Sequence, residues 1–231
     1  MLSIKNVSKS YGSKNILENI NLDIDAGSVY TIFGPSGAGK TTLLNIIMGL
    51  SVMDKGELTF KNNLLQIPYT KSIRSSIAFI PDSPIFYDYL TGMENLKYLR
   101  EIYNSDISDG ELEDYLEDFN ILKSKDILFK NYSKGMKQKL MLLSSYISDA
   151  SLIILDEPTV GLDLVSSYEL VDIIRQYKKV KKTVLLATHD IAFSENVSDK
   201  FAVMNNGSIV YKGENNKHIK LQDIVLKYLQ N

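Results

Sequence analysis

The sequence predicts an α/β fold: a mixed sheet with an antiparallel β part at its edge and a helical lobe inserted in the chain. Residues 152–155 and 184–187 are continuous apolar runs, typical of parallel strands that are buried on both faces. Between 91 and 147, apolar residues recur at helical spacing instead. With 231 residues, the chain is long enough for one large domain. This organisation divides it into a core at 1–83 and 149–231 and a helical lobe at 84–148.

The N-terminal part predicts the antiparallel region. Apolar and polar residues alternate at Leu2, Ile4 and Val7 and again over 17–24, with a turn at Tyr11-Gly12 between them. Further predicted elements before the lobe are a turn at 25–27, a strand at 29–33, a helix at 41–50, a turn at 54–56 and strands at 57–60 and 77–80.

Prolines and a capping pattern later in the chain predict where the remaining elements begin and end. Pro81 and Pro84 end the strand at 77–80, since neither suits a central strand. Thr91 and Glu94 form a capping-box pattern that predicts the start of the first lobe helix. After the lobe we predict a helix at 165–177, a hairpin at 201–211 and a C-terminal helix at 221–229.

One loop predicts a nucleotide site. Residues 34–41 fit G-x-x-x-x-G-K-[ST] between a predicted strand and a predicted helix, so main-chain N–H groups and the helix dipole face bound phosphates. Lys40 adds charge at the outer phosphates, and the Thr41 hydroxyl ligates magnesium. The alternative is a simple Gly-rich turn. The predicted nucleotide-binding residues are Gly34, Pro35, Ser36, Gly37, Ala38, Gly39, Lys40, Thr41 and Thr42.

Two carboxylates follow the apolar run at 152–155. Asp156, at the end of a buried strand, is suited to hold the water shell of magnesium. Glu157 then projects where a water attacks the γ-phosphate. An Asp-Glu pair after a strand is often only a solvated strand end. Together with the phosphate loop, the pair favours a hydrolytic site.

Two weaker signals complete the set. Ser133 is a predicted N-cap, so that Ser133, Lys134 and Gly135 open a second helix whose start can meet phosphate; the alternative is an ordinary cap. His189 closes the strand at 184–187 and is placed to hydrogen-bond a γ-phosphate oxygen. A lone histidine at a strand end is otherwise usually structural.

In kind, order and spacing, these motifs resemble the nucleotide-binding subunit of an ATP-binding cassette (ABC) transporter over essentially the whole chain. The resemblance implies ATP and Mg²⁺, with Glu157 as the catalytic glutamate, His189 as the switch histidine and Asp163 in the D-loop. It also implies that Tyr11 packs against adenine. Two departures stand out. The signature sequence reads Tyr-Ser-Lys-Gly-Met at 132–136, a form that resembles antibiotic, lantibiotic and ABC-2-type exporters, and the Q-loop position holds Asp82, a candidate magnesium ligand.

The resemblance further implies that two ATPase subunits, as a homodimer or heterodimer, close head to tail and drive a separate membrane permease, with export favoured. The chain would then lie in the cytoplasm against the inner face of the cell membrane. Alternatives are an importer subunit, a soluble ABC ATPase without a transport role, and a small-molecule kinase. A net charge of −2 gives no indication of a nucleic-acid partner. No apolar run in the sequence is long enough to span a bilayer. The absence of cysteine suits a reducing compartment.

Overall fold

A six-stranded and a four-stranded sheet organise the fold in a computed structural model, which describes residues 1–83, 85–216 and 220–229. The strands of this described part are β1 (Leu2–Tyr11), β2 (Lys14–Ile24), β3 (Val29–Phe33), β4 (Lys55–Phe60), β5 (Asn63–Leu64), β6 (Ile77–Ile80), β7 (Leu152–Asp156), β8 (Thr183–Thr188), β9 (Lys200–Asn205) and β10 (Ser208–Glu214). Its α-helices are α1 (Lys40–Ile47), α2 (Lys71–Ser75), α3 (Gly92–Tyr103), α4 (Asp109–Asp118), α5 (Lys134–Ile147), α6 (Leu164–Lys179), α7 (Ile191–Val197) and α8 (Leu221–Leu229).

The six-stranded sheet brings the predicted site residues to one edge. Its order is β10-β9-β3-β8-β7-β6, and all neighbouring pairs are parallel except β9 with β10. Every residue of β3 and β8 is buried, as the continuous apolar runs predict. Because parallel strands end at the same edge, the segments after Phe33, Asp156 and Thr188 meet there.

The four-stranded sheet, in the order β2-β1-β4-β5, is antiparallel throughout. The alternating apolar residues of its first two strands are buried, including Leu2, Ile4 and Val7. They form one core cluster with the apolar face of α1 and with β3 residues such as Ile32. The predicted antiparallel part is confirmed, and it stands as a sheet of its own beside the mixed sheet.

The predicted helical lobe corresponds to α3, α4 and α5, which lie between β6 and β7 together with short 3₁₀ helices at Leu122–Ser124 and Phe129–Asn131. The capping box is present: Thr91 accepts a hydrogen bond from the Glu94 N–H, and the Glu94 carboxylate accepts one from the Thr91 N–H at 2.7 Å. The boundaries at 84 and 148 stay a prediction, and Pro84 lies outside the described residues.

Several predicted bounds are wrong for local reasons. Helix α1 ends at Ile47, not at residue 50, because Gly49 takes a left-handed φ of 75°. The turn expected at 54–56 is wrong in its last two residues, since β4 begins at Lys55; Gly56 stays in the strand with a φ of 97°, where a side chain would meet the main chain of Asn6. Helix α6 runs one residue earlier and two later than the predicted 165–177.

The elements that the sequence did not predict are short. Helices α2 and α7 have five and seven residues and β5 has two, too few for a periodic pattern to show. None of the helices in the described ranges is long and apolar enough to cross a membrane.

Candidate active site

The phosphate loop connects the buried strand β3 to helix α1, as predicted. Two of its glycines are required by close packing. A Cβ on Gly34 would lie 2.6 Å from the Met204 carbonyl oxygen. Gly39 has a φ of 105°, and its Cβ would lie 2.8 Å from the Leu17 side chain. The loop is therefore held between β9 and β2, with α1 starting behind it.

Lys40 is the first residue of α1 and is almost completely buried, with 7% of its surface exposed. Its ammonium donates a hydrogen bond to the Gly34 carbonyl oxygen at 2.7 Å, and it lies 3.4 Å from the Glu157 carboxylate. A buried ammonium needs partners of this kind to offset its desolvation. The cation is thus fixed between the phosphate loop and the carboxylate that follows β7.

Thr41 and Asp156 form an oxygen pair at the same edge. The Thr41 hydroxyl donates a hydrogen bond to the Asp156 carboxylate at 3.1 Å. Burial raises the pKa of Asp156, and the negative charge of Glu157 acts in the same direction, while the Thr41 hydrogen bond opposes them. A hydroxyl and a carboxylate next to a phosphate site are the ligands that magnesium takes in nucleotide complexes, so these residues fit the ion. Asp82 borders the same cavity.

Glu157 is the centre of the polar contacts. One carboxylate oxygen accepts a hydrogen bond from the Thr188 hydroxyl at 3.0 Å and lies 2.9 Å from Nδ1 of His189, while the other faces Lys40. Burial alone would raise the pKa of Glu157, but His189, Lys40 and Thr188 together hold it below its usual value. Its main-chain φ is 47°, a left-handed value that costs a non-glycine residue energy, and its N–H donates to the Ala187 oxygen at 2.8 Å. The carboxylate is therefore ionised and fixed in place.

A cavity of about 510 Å³ opens in front of these groups. It is lined by Lys14, Ile16, Pro35, Ser36, Gly37, Gly39, Lys40, Thr41, Thr42, Asp82, Asp156 and Glu157. Most of the predicted phosphate-loop residues and the carboxylates Asp82, Asp156 and Glu157 are thus brought together. Gly34 and Ala38 lie behind the loop surface, and His189 reaches the site through Glu157.

The cavity also involves residues that sequence reasoning missed. Lys14 and Ile16 come from β2, which is distant in sequence from the phosphate loop, and no pattern in the sequence points to them. Thr188 touches Glu157 and immediately precedes His189. Thr188 is a polar residue at the end of an apolar strand, and this pattern could have predicted its place at the sheet edge that holds Glu157 and His189.

Tyr11 ends β1 and does not line the cavity. Its ring is 54% exposed, with the Lys9 ammonium 5.2 Å from the ring centre and the Ser51 hydroxyl 3.2 Å from its own hydroxyl. These contacts hold an exposed aromatic ring at the β1–β2 turn, where Tyr11 pairs with Lys14.

Ser133, Gly135 and Asp163 lie apart from the cavity, at the starts of α5 and α6. Ser133 accepts a hydrogen bond from the Met136 N–H at 3.2 Å, which confirms it as an N-cap. Asp163 caps α6 through the Ser166 N–H at 2.7 Å, and that hydrogen bond lowers the pKa of Asp163. The two helix starts pack together, because a Cβ on Gly135 would lie 2.4 Å from the Ser166 hydroxyl.

Comparison with known proteins gives consistent matches. A sequence profile of the family described as ABC transporter matches residues 17–160. The uncharacterized ABC transporter ATP-binding protein YdbJ of Bacillus subtilis (strain 168) is 34% identical over 210 residues, which cover 90% of this chain and 68% of YdbJ. The lantibiotic transport ATP-binding protein SrtF of Streptococcus pyogenes is 31% identical over 224 residues, covering 97% of this chain and 95% of SrtF.

Solved structures match over nearly the whole length as well. A dimeric ATP-binding cassette in a post-hydrolysis state, bound to ADP and Pi, superposes with a TM-score of 0.82. The sequences are 26% identical, and the match covers 94% of this chain and 99% of that chain.

Proposed function

The chain belongs to the ABC transporter family of ATP-binding proteins, and we propose that Glu157, Lys40 and His189 carry its ATP hydrolysis and that this hydrolysis drives export through a separate permease. The observation that supports these roles best is the set of contacts around Glu157. A catalytic base must be ionised and within reach of the reacting water. Contacts with Lys40, Thr188 and His189 keep the Glu157 carboxylate ionised and hold it beside the phosphate loop.

Binding of ATP uses the loop at 34–42 and the start of α1. The first N–H groups of the helix and its dipole favour the phosphates, and the Lys40 ammonium adds charge next to them. Magnesium bound with the nucleotide supplies further positive charge against the outer phosphates and would be held by Thr41 and Asp156, with Asp82 bordering the same space.

Hydrolysis is a displacement at the γ-phosphorus. Glu157 orients the attacking water and accepts its proton while the new P–O bond forms and the bond to the β–γ bridging oxygen breaks, which releases ADP and phosphate. Lys40 stabilises the charge that develops on the γ-phosphate oxygens. His189 holds the Glu157 carboxylate in position through Nδ1 and is itself 68% exposed, so its ring is free to reach a phosphate oxygen.

The remaining nucleotide contacts come from a second subunit. Ser133, Gly135 and Asp163 do not line the cavity. Ser133 and Gly135 lie at the start of α5, which is suited to anions, and Asp163 caps the adjacent start of α6. We assign them to the nucleotide of the partner subunit in a head-to-tail dimer. The dimeric state of a structural relative supports this assignment. We assign Tyr11 to the adenine, since its ring is exposed and it pairs across the β1–β2 turn with Lys14, which lines the cavity.

Export is supported by the similarity to SrtF, a lantibiotic transport protein, and by the signature sequence at 132–136. Closure of two such subunits would act on a permease docked between the Asp82 segment and the helices of the lobe. In this arrangement the chain works in the cytoplasm, at the inner face of the membrane that contains the permease.

The variant Glu157→Gln tests the hydrolytic role. It keeps the size of the side chain but removes the base, so phosphate release should fall by roughly a hundredfold or more while ATP binding by calorimetry is retained. Glu18→Gln, at an exposed position of β2, is the matched control and should hydrolyse ATP normally. Phosphate release near the parental rate in Glu157→Gln would remove Glu157 from its role. A phosphorylated small molecule formed with ADP, in place of free phosphate, would instead identify a kinase.

A further inference from the structure

A lysine from outside the phosphate loop borders the cavity. Lys14 begins β2, directly after the turn at Gly12-Ser13, and pairs with Tyr11 across that turn. It lines the cavity together with Ile16, on the next cavity-facing position of the strand. The hairpin therefore brings a second cation to a site that already contains Lys40.

Contacts around the loop show on which side of it this hairpin lies. A Cβ on Gly39 would come 2.9 Å from the Ile16 carbonyl oxygen, and one on Gly207 would come 2.5 Å from the same oxygen. The Glu18 N–H donates to the Gly207 oxygen at 2.8 Å, and the Gly207 N–H donates to the Ala38 oxygen at 3.1 Å. Since Gly207 is in the β9–β10 turn, β2 flanks the loop on the β9 side.

The carboxylates lie on the opposite side. Strand β7, which ends at Asp156, is separated from β3 by β8, and β6 with the following Asp82 lies beyond it. The order β9-β3-β8-β7 thus puts Lys14 and the carboxylates at opposite ends of one cavity. A triphosphate lying along the loop with its γ-phosphate at Glu157 has its nucleoside end towards Lys14.

The two cations differ in how they are engaged. The Lys40 ammonium is shared between the Gly34 carbonyl oxygen and the Glu157 carboxylate. The Lys14 side chain is exposed, and its ammonium has no hydrogen-bond or ion-pair partner within 1–83, 85–216 and 220–229. A cation without a counter-ion at the rim of an anion site is available to a ligand phosphate.

We propose that Lys14 is a nucleotide-binding residue that contacts the phosphates next to the nucleoside, the α-phosphate above all. The inference rests on the proposed function, which places the γ-phosphate at Glu157. Its ligands are nucleoside di- and triphosphates, because both carry the phosphates that Lys14 reaches. Lys14 binds and positions the nucleotide and takes no part in the proton transfer at Glu157.

Calorimetry of Lys14→Ala with ATP and with ADP tests this assignment. Both affinities should fall by the same factor, roughly tenfold, because the lost contact is common to the two nucleotides. The hydrolysis rate at saturating ATP should stay at the parental value. Lys14→Arg should retain most of the affinity. Lys179→Ala removes an exposed lysine at the far end of α6 and should leave both affinities unchanged.

Unchanged affinities in Lys14→Ala would overturn the proposal, and so would a loss for ATP alone, which would place Lys14 at the γ-phosphate. A lowered hydrolysis rate at saturating ATP would assign it to the chemical step instead. Thermal melting checks that the exposed substitution leaves the fold intact. The proposed function fails in a different way, through a parental protein that does not bind ATP or a Glu157→Gln variant that still hydrolyses it.

Discussion

The two regions of this chain that we assign to nucleotide binding differ in how their polar side chains are engaged. Around the phosphate loop, side chains from different elements contact one another: the buried Lys40 faces Glu157, Thr41 faces Asp156, and Glu157 contacts the exposed His189. At the starts of α5 and α6, which we call the signature surface and define by Ser133–Gly135 and Gly161–Asp163, the polar side chains serve their own helices. Ser133 caps α5 and Asp163 caps α6.

The difference indicates that the two regions have different roles in binding and hydrolysing the nucleotide. The phosphate cavity holds groups for binding the phosphates and for activating a water within one chain. The signature surface consists of two packed helix starts, and its residues do not line the phosphate cavity. We therefore propose that hydrolysis at the cavity of one subunit depends on the signature surface of another, and variants of the two regions should then fail in different ways.

The largest effect is expected from Lys40→Met. The substitution keeps the buried aliphatic stem but removes the ammonium, so ATP affinity by calorimetry should fall by roughly a hundredfold. Lys182→Met is a matched control, because Lys182 is also buried and donates to the Ala150 oxygen at 2.7 Å, before β8 and far from the site. That control should melt at a lower temperature yet bind ATP normally. Equal affinity in Lys40→Met and the parent would contradict the loop assignment.

A smaller effect is expected at the signature surface. Asp is as good an N-cap as Ser, so Ser133→Asp should keep α5 intact while its negative charge repels the phosphates of the partner's nucleotide. We expect ATP binding to the isolated subunit to stay near the parental value and the hydrolysis rate to fall roughly tenfold or more.

Ser108→Asp provides the comparison for that variant. Ser108 caps α4 in the same manner, within a capping box with Glu111 and away from the cavity. It should hydrolyse ATP at the parental rate. If Ser133→Asp bound ATP as weakly as Lys40→Met does, the two regions would belong to one site in one chain, and the division between subunits would be wrong.

The smallest effect is expected from Asp82→Ala. Asp82 borders the cavity and raises the pKa of Asp156 through its charge, but Asp156 and Thr41 are the pair in direct contact. The magnesium concentration for half-maximal hydrolysis should therefore rise by only about threefold, whereas Asp156→Ala should raise it far more. An unaltered magnesium dependence in Asp82→Ala would remove it from the proposed ligands.

The sequence predicted the phosphate cavity well because its parts lie at the ends of buried parallel strands, which are recognisable as continuous apolar runs. Once strands 152–155 and 184–187 were placed, Asp156, Glu157 and His189 had to fall at one edge with the phosphate loop. The antiparallel strands followed from alternation in the same way. Element ends such as Ile47 were missed, since a single left-handed glycine decides them.

Residues that join the site only through tertiary packing could not be predicted from the sequence. Lys14 and Ile16 line the cavity only because β2 lies against Gly39 and the β9–β10 turn, a contact that no local pattern encodes. The strained φ of Glu157 and its ties to Thr188 likewise appear only in three dimensions. The signature surface was recognised from its motif, yet its separation from the cavity had to come from the structure.

Mixing two impaired variants, Glu157→Gln and Ser133→Asp, tests the division between subunits most directly. In a dimer of Glu157→Gln with Ser133→Asp, one cavity combines an intact Glu157 with an intact Ser133 from the other chain. A mixture should therefore regain roughly a quarter of the parental rate of phosphate release, since half of randomly formed dimers are mixed and each holds one intact site. A rate no higher than the sum of the two separate variants, or full activity of Ser133→Asp alone, would contradict the account.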